Sequence, residues 1–316
     1  MTDAWLMPLV FGNVVGAVVA PRRAMNAAPR ERNPARAAAA LACGALGVIG
    51  PHFIPEYFSV VRTVLAFGTT AAFFRLIEIL RHPQASLGAR VLATAFPVVG
   101  VRSLTPSPSE LRVDDIVVGM LFAAFAVVLF LVAGSFSPAA PYSGIVSVTR
   151  TIVGGASAYF LVAAGARLTR ASFARLGFEL GRLHDAPILS RSVSEFWSRR
   201  WNRTIHSWLE ENAFRPAMKA VLRRRRRSTQ IALAAGVMAA FAASAILHGV
   251  PMLVVYAPPY AASMAGFFIL HGLIVVLEAR LDVAHWRPLA GHVWTLGIFA
   301  STAPLFVEPL LRALGK

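Results

Sequence analysis

Eight apolar runs recur from one end of the chain to the other, near residues 4–20, 37–54, 63–80, 113–136, 151–166, 229–249, 252–274 and 292–311. Each reaches or approaches the ~20 residues that an α-helix needs to cross a ~30 Å hydrocarbon layer. Within hydrocarbon the backbone must satisfy its own N–H and C=O groups, and a single segment can do that only as a helix. The pattern therefore predicts an all-α, polytopic membrane protein with about eight transmembrane helices plus interfacial helices. Composition agrees: 57% of the 316 residues are hydrophobic and 15% are charged, against about a quarter charged in a soluble domain. The even spread of the runs predicts one membrane-embedded unit. Residues 1–166 supply N-terminal spans, 167–228 a cytoplasmic or interfacial segment, and 229–316 C-terminal spans. The stretch 88–101 is apolar but short and contains proline, which suits a re-entrant or interfacial piece. The run 151–166 is short for a crossing, so its true limits must differ by a few residues.

The net charge of +16 would suggest a nucleic-acid partner in a soluble protein. Here the cations are sorted by loop, which points to anionic membrane lipid rather than nucleic acid. Arg22, Arg23, Arg30, Arg32 and Arg36 follow the first run, and Arg81, Arg90, Arg102 and Arg112 follow the third. The 167–228 segment holds the largest set, including Arg223 to Arg227, and Arg280 and Arg287 precede the last run. Loops near 51–57, 137–142 and 250–251 carry no Lys or Arg. If the runs alternate, the basic loops share one side, which is expected to be cytoplasmic with both termini outside. Arg62 and Arg150 break the pattern and are expected to face the bundle interior. Abundant Ala and Arg suit a GC-rich bacterial source, hence an inner (cell) membrane. Cys43 stands alone, which excludes an intramolecular disulfide and a Cys-based metal site, and no metal cluster is visible. The N-terminus has neither a basic n-region nor a small-residue cleavage site, so no cleaved signal peptide is expected.

Chemistry concentrates in SVSEFWSRRWNRTIHSWLEENAFRP, residues 192–216, and in the histidines of the runs that follow. Ser192-Val193-Ser194-Glu195 reads as a capping box. On a continuous helix from there, Trp197, Trp201 and Trp208 fall within about 40° of one another, while Glu195, Arg199, Asn202, Arg203, His206 and Glu210 fill an arc of about 100°. Such a helix would lie at the interface, with its Trp stripe at headgroup level. His248 and His271 lie within apolar runs, where ionisable groups are costly and are suspected of function. His248 follows Ala242, Ala243, Ser244 and Ala245, whose small side chains permit close approach. A straight helix from Arg227 would place it about 31 Å along, near the far interface unless the helix tilts or runs past Gly249. Glu278 lies seven residues after His271 on the same face, so the two are expected to pair or to share a partner. A neutral imidazole held by a partner in a low-dielectric pocket is a competent general base. The competing reading is a non-catalytic transporter or lipid-binding protein in which His248, His271 and Glu278 line a substrate or proton path. Such transporters carry repeats with paired broken helices, and no such repeat is found.

EFWSRRWNRTIHSWLEENAFRP resembles the FW…RRWN signature of plant-type wax synthases, and it is similar to the Trp-Asn…His-Trp segment of sterol and diacylglycerol acyltransferases. SAILHG resembles the stretch carrying the catalytic histidine of those enzymes, and FFILHGLIVVLEARL resembles the later HG…E segment of wax synthases. All belong to the membrane-bound O-acyltransferase (MBOAT) superfamily, and the motifs cover roughly residues 190–285. The resemblance implies an enclosed tunnel open to lipid and transfer of a fatty acyl group from acyl-CoA, a co-substrate, to a lipophilic alcohol, with no cofactor. It implies His248 as catalytic base with Asn202 beside it in catalysis. Trp197, Arg199, Arg200, Trp201, Arg203, His206 and His271 are the implied substrate-binding set. Gly249 departs from the family, since wax synthases carry Glu there, which bears on the acceptor.

Overall fold

The computed structural model describes residues 4–20, 34–82, 84–97, 99–100, 105–136, 144–224 and 229–315. The loop arginines at 22, 23, 30, 32, 102 and 225–227 lie outside the described residues. The fold is helical throughout, and strand among the described residues is confined to Thr105–Pro106 and Phe178–Glu179. Seven helical segments are long and apolar enough to cross a membrane: Pro34–Phe53, Glu56–Arg81, Val113–Ser135, Gly144–Arg175, Thr229–Val255, Pro258–Leu281 and Pro288–Ala313. The first apolar run forms a 3-10 helix, Ala4–Phe11, followed by α1, Gly12–Val19. The larger rise of 3-10 turns brings that stretch to about 28 Å, close to an eighth crossing.

The chain divides into two compact units, each built from separate stretches. The first comprises residues up to Thr105 together with Leu247–Ala261 and Ala313–Gly315. Here α1 meets α2 (Pro34–Ile49) and α3 (Ser59–Arg81). A Cβ on Gly44 would stand 2.4 Å from the Leu76 side chain, and one on Gly47 2.7 Å from the Asn13 amide. Backbones therefore approach as closely as small-residue membrane interfaces allow. Asn13 donates to the Thr69 carbonyl at 2.9 Å. The short apolar stretch after 86 becomes α4 (Leu87–Ala95), which Ser86 caps by accepting from the Ala89 N–H. Arg90, read from sequence as one of the solvated loop cations, is fully buried and donates to the carbonyls of Ala20 and Ala85. Carbonyls left over at a helix end and a turn satisfy the guanidinium, which a loop-charge count cannot see. Arg62 is buried as expected and bonds Glu56 at 3.4 Å.

The second unit comprises 106–246 and 262–312. Helices α5 (Val113–Ser135) and α6 (Gly144–Arg175) pack along their length. The run at 151–166 thus belongs to a 32-residue helix. Hydropathy truncated it because polar residues interrupt it, but those residues are satisfied internally. Ser157 donates to Ala126 O, Arg167 and Arg170 both pair with Asp115, and Arg150 pairs with Glu308 at 3.0 Å.

The boundary expected at 250–251 shifts. Helix α10 spans Thr229–Val255, passing through Gly249 and Pro251, and α11 starts at Pro258. The YAPPY sequence makes the break, since consecutive prolines cannot donate to the preceding turn. His248 therefore lies seven residues, about 10 Å, before the end of α10. The last run forms α12 (Pro288–Thr302) and α13 (Pro304–Ala313).

Candidate active site

The Trp-Arg-Asn segment is not one helix. It begins as α7 (Val193–Glu195), widens into a π turn at Phe196–Arg200, and breaks at Trp201 and Asn202. It resumes as α8 (Arg203–Leu209), a second π turn at Glu210–Phe214, and α9 (Arg215–Arg224). The helical-wheel grouping of Trp197, Trp201 and Trp208 therefore fails, and none of the three forms a lipid-facing stripe. Trp208 is buried, and Trp197 and Trp201 are half-buried among aromatic rings. Sequence spacing assumed 100° per residue, whereas a π turn and a left-handed residue reset the phase.

The capping box forms by half. Ser192 Oγ accepts from the Glu195 N–H at 2.8 Å, as expected, but Glu195 reaches back to the Arg191 N–H rather than to that of Ser192. Its other oxygen accepts from Arg200 Nε at 2.7 Å. Burial works against the Glu195 carboxylate, yet the Arg191 N–H and the Arg200 guanidinium outweigh it and hold its pKa below the ordinary carboxylate range.

Asn202 stands at the break with φ 39° and ψ 62°, a left-handed conformation that asparagine tolerates better than most side chains. Its Oδ1 caps α8 by accepting from the Ile205 N–H at 3.3 Å. Among the described residues its Nδ2 has no acceptor. The break is fixed from both sides: the Trp201 N–H bonds Phe196 O, the Arg203 N–H bonds Leu183 O, and the Asp185 N–H bonds Arg200 O. Trp201 stacks on Phe196 at 15° and receives the edge of His184 at 4.5 Å. Burial pushes His184 down to about 4, and its Nε2 has no partner among the described residues. Burial also lowers His206, with Glu210 acting in the opposite direction. Arg199 and Arg203 are exposed, and no acidic partner holds either among the described residues. Arg200, by contrast, is committed to Glu195 and to the carbonyls of Asp185 and Ala186.

Trp197 and His271 are brought together. The indole N–H of Trp197 donates to His271 Nδ1 at 2.9 Å, and His271 Nε2 lies 2.9 Å from Thr302 Oγ1. An indole nitrogen can only donate, so Nδ1 is the accepting nitrogen and the ring is neutral with its proton on Nε2. That proton goes to Thr302, whose own hydroxyl donates to Ile298 O. His271 is 0% exposed and is surrounded by Phe267, Phe299 and Trp197. Both ring nitrogens are thus used inside the protein. Glu278, also buried, accepts from the N–H groups of Val193 and Ser194 at 2.7 and 2.8 Å and from the Trp294 indole at 2.8 Å. His271 and Glu278 do not pair directly here; they share a partner, the 193–197 turn. Thr302, Trp294 and Phe299 went unnoticed in the sequence because a lone threonine or aromatic in an apolar run carries no one-dimensional signal.

His248 belongs to the first unit. It is half-buried on α10, and its ring meets the edge of Phe67 at 6.0 Å between centroids. Pro251 cannot donate to the Leu247 carbonyl, so the turn bearing His248 lacks one helical hydrogen bond. Below that turn Ser244 and Ala245 are buried, while Ala242 and Ala243 are half-buried.

Residues 181–270 match the profile of the membrane bound O-acyl transferase family. Among curated proteins, the chain is 28% identical over 148 residues to the probable long-chain-alcohol O-fatty-acyltransferase 3 of Arabidopsis thaliana, covering 45% of this chain and 43% of the relative. It is 30% identical over 144 residues to the probable long-chain-alcohol O-fatty-acyltransferase 7 of the same plant, covering 43% and 42%. It is 30% identical over 157 residues to the long-chain-alcohol O-fatty-acyltransferase of Simmondsia chinensis, covering 48% and 43%. The chain thus spans less than half the length of these relatives, and their plant origin lends no support to a bacterial cell membrane. The matched segment contains both Asn202 and His248. Across it, this chain is similar to the membrane bound O-acyl transferase family and to the long-chain-alcohol O-fatty-acyltransferases of these plants.

Proposed function

We propose that the protein is a membrane O-acyltransferase that moves a fatty acyl group from acyl-CoA to a lipophilic alcohol, as in wax-ester synthesis. The observation that carries this reading is the family match over 181–270, which holds both Asn202 and His248. An alcohol enters from the bilayer through a tunnel open to lipid, and the thioester enters from the side of the basic loops, taken as cytoplasmic. His248 removes the hydroxyl proton as the oxygen attacks the thioester carbonyl, a general-base contribution of about 10²–10⁴ in rate. The tetrahedral oxyanion collapses, the C–S bond breaks, and the imidazolium returns its proton to the departing CoA thiolate. Asn202 supplies an N–H toward the carbonyl oxygen as charge develops there. Its cap uses Oδ1 and leaves Nδ2 for that purpose, which supports the assignment.

Arg199 and Arg203 bind the CoA phosphates, for which guanidinium offers paired donors. Their exposure and lack of acidic partners support this role, whereas Arg200 serves by holding Glu195. Trp201 and His206 line the donor side of the site. His271 and Trp197 contribute through each other.

The test is lipid mass spectrometry of a host expressing the chain and fed long-chain alcohols, followed by radiolabelled acyl transfer in its membranes with wild type and His248→Ala. A new neutral ester that disappears in a folded His248→Ala protein is the expected result. Undiminished ester in that variant overturns the role of His248, and no ester with any alcohol overturns the activity.

A further inference from the structure

The two buried polar groups of α11 are not used by the proposed chemistry, yet both nitrogens of one and both oxygens of the other are hydrogen-bonded. His271 and Glu278 stand two helical turns apart and reach the same turn of chain. Glu278 takes two consecutive backbone N–H groups, those of Val193 and Ser194, and His271 takes the Trp197 indole. Helix α12 completes the grip. Trp294 bonds Glu278 and Thr302 bonds His271. His292 Nδ1 donates to the Ser190 carbonyl at 3.1 Å, and Gly291 lets the backbone pass so closely that a Cβ there would stand 2.4 Å from Arg191 O. A carboxylate in apolar surroundings is stable only when fully bonded, and here three donors satisfy it.

The grip is transmitted along the chain. From Trp197 the π turn returns through the Trp201 N–H to Phe196 O, and Arg200 is tied to Glu195. Phe196 packs on Phe299 at 4.3 Å and on Trp201 in a stack. Asn202 comes next, in a left-handed conformation that a loose loop would relax.

We infer that His271 and Glu278 are positioning residues, a clasp on α11 that fixes the 193–197 turn and through it the orientation of the Asn202 amide. This assigns the HG…E stretch of α11 to holding the Trp-Asn segment rather than to contacting substrate. Its catalytic consequence rests on the acyltransferase reading, while the clasp itself does not.

The experiment therefore uses two readouts on purified full-length protein. Hydrogen exchange of peptides covering 190–203 reports the clasp, and acyl transfer resolved into kcat and KM for acyl-CoA reports its consequence. His271→Phe keeps an aromatic ring and removes both bonds, whereas His271→Gln can accept from the indole and donate to Thr302. Glu278→Gln loses at least one of the paired N–H contacts. Exchange in 190–203 is expected to rise about tenfold or more in His271→Phe and Glu278→Gln, as expected for loss of hydrogen bonds to a buried anchor. It should stay near wild type in His271→Gln. The kcat is expected to fall about a hundredfold in the first two with KM little changed, the size of effect that a misplacement of about 1 Å produces. His271→Gln should recover much of it. Should His271→Phe not fold, Trp197→Phe removes the same bond from the other side and is read in the same way. Unchanged exchange in 190–203 overturns the clasp. Increased exchange with unchanged kcat, or a change confined to KM, overturns positioning. A wild type without transfer sinks the acyltransferase reading alone, and exchange still decides the clasp.

Discussion

The tetrapeptide Ile-Leu-His-Gly occurs twice, as Ile246–Gly249 on α10 and as Ile269–Gly272 on α11. The two copies have different fates. On α11 the imidazole is sealed, with both nitrogens bonded and aromatic rings packed around it. On α10 it is half-buried, meets one phenylalanine edge, and sits on a turn that Pro251 deprives of a hydrogen bond. Four identical residues thus give one histidine that is part of the framework and one that retains exposed surface. The difference lies in how far each ring is enclosed. Trp197 and Thr302 come from distant parts of the chain to close the first site.

The sharpest way to break this comparison is to remove each ring in turn. His248→Ala is expected to cost acyl transfer about 10²-fold or more while shifting the melting temperature less than His271→Ala does. Activity assays and thermal melts in the same detergent check both halves. Equal losses of activity with equal losses of stability would mean that both rings are framework.

A smaller effect is expected on stability. His271→Ala leaves the Trp197 N–H without its acceptor, at about 1–3 kcal/mol for a stranded buried group, and takes from Thr302 Oγ1 the donor it accepts from, while the Thr302 hydroxyl keeps its bond to Ile298 O. Because the two side chains share one bond, the double variant with Trp197→Phe should lose less than the sum of the singles. A melting-temperature cycle over the four proteins measures that coupling, and strict additivity would deny that the bond matters.

Much of this fold was legible in the sequence because hydrocarbon leaves the backbone so few options. The long runs became helices, and Arg62 and Arg150 turned inward as expected. What misled was polarity satisfied at a distance. Arg150 and Arg167 made α6 look shorter than it is, and Arg90 looked like a loop cation, because their partners Glu308, Asp115 and Ala20 O are far away in sequence. The site was legible in its residue types but not in its phase. Asn202 adopts a positive φ between two π turns, and no periodicity argument anticipates three resets within twenty residues. Glu278 was correctly associated with His271 by spacing alone, since one helix face carries both, whereas the segment they share lies some eighty residues earlier.

The contrast between sealed and partly solvated histidines extends to His184, which packs on Trp201 beside Asn202. An unfolded histidine binds its proton near pH 6.5, but His184 in the fold does so only near 4. The unfolded chain therefore holds the extra proton between those values. The contribution of His184 is complete above pH 6.5 and is lost as pH falls from there toward 4. The expected loss between pH 7 and 5 is on the order of 1 kcal/mol after allowing for screening at a partly exposed ring. Glu195 adds a loss of the same sign in a lower window, below the ordinary carboxylate range. Thermal melts at pH 7, 6 and 5 should show the decline, and His184→Phe should flatten it. A slope that survives the substitution would assign it elsewhere.

The smallest effect separates arginines as the first prediction separates histidines. Arg200 is committed to Glu195 and two carbonyls, while Arg199 beside it and Arg203 beyond the break are exposed without acidic partners. Exposed cations in high dielectric contribute little each, and salt screens them over about 10 Å. If they bind the CoA phosphates, Arg199→Gln and Arg203→Gln should each raise KM for acyl-CoA roughly two- to fivefold with kcat unchanged, an effect of about 0.5–1 kcal/mol. The increase should shrink as salt is raised. Arg200→Gln should behave differently, lowering kcat and loosening the 193–203 turn, because it removes a strut rather than a counter-charge. KM curves for the three variants at low and high salt distinguish these roles. A salt-independent KM for Arg199→Gln and Arg203→Gln would place the phosphates elsewhere on the basic face.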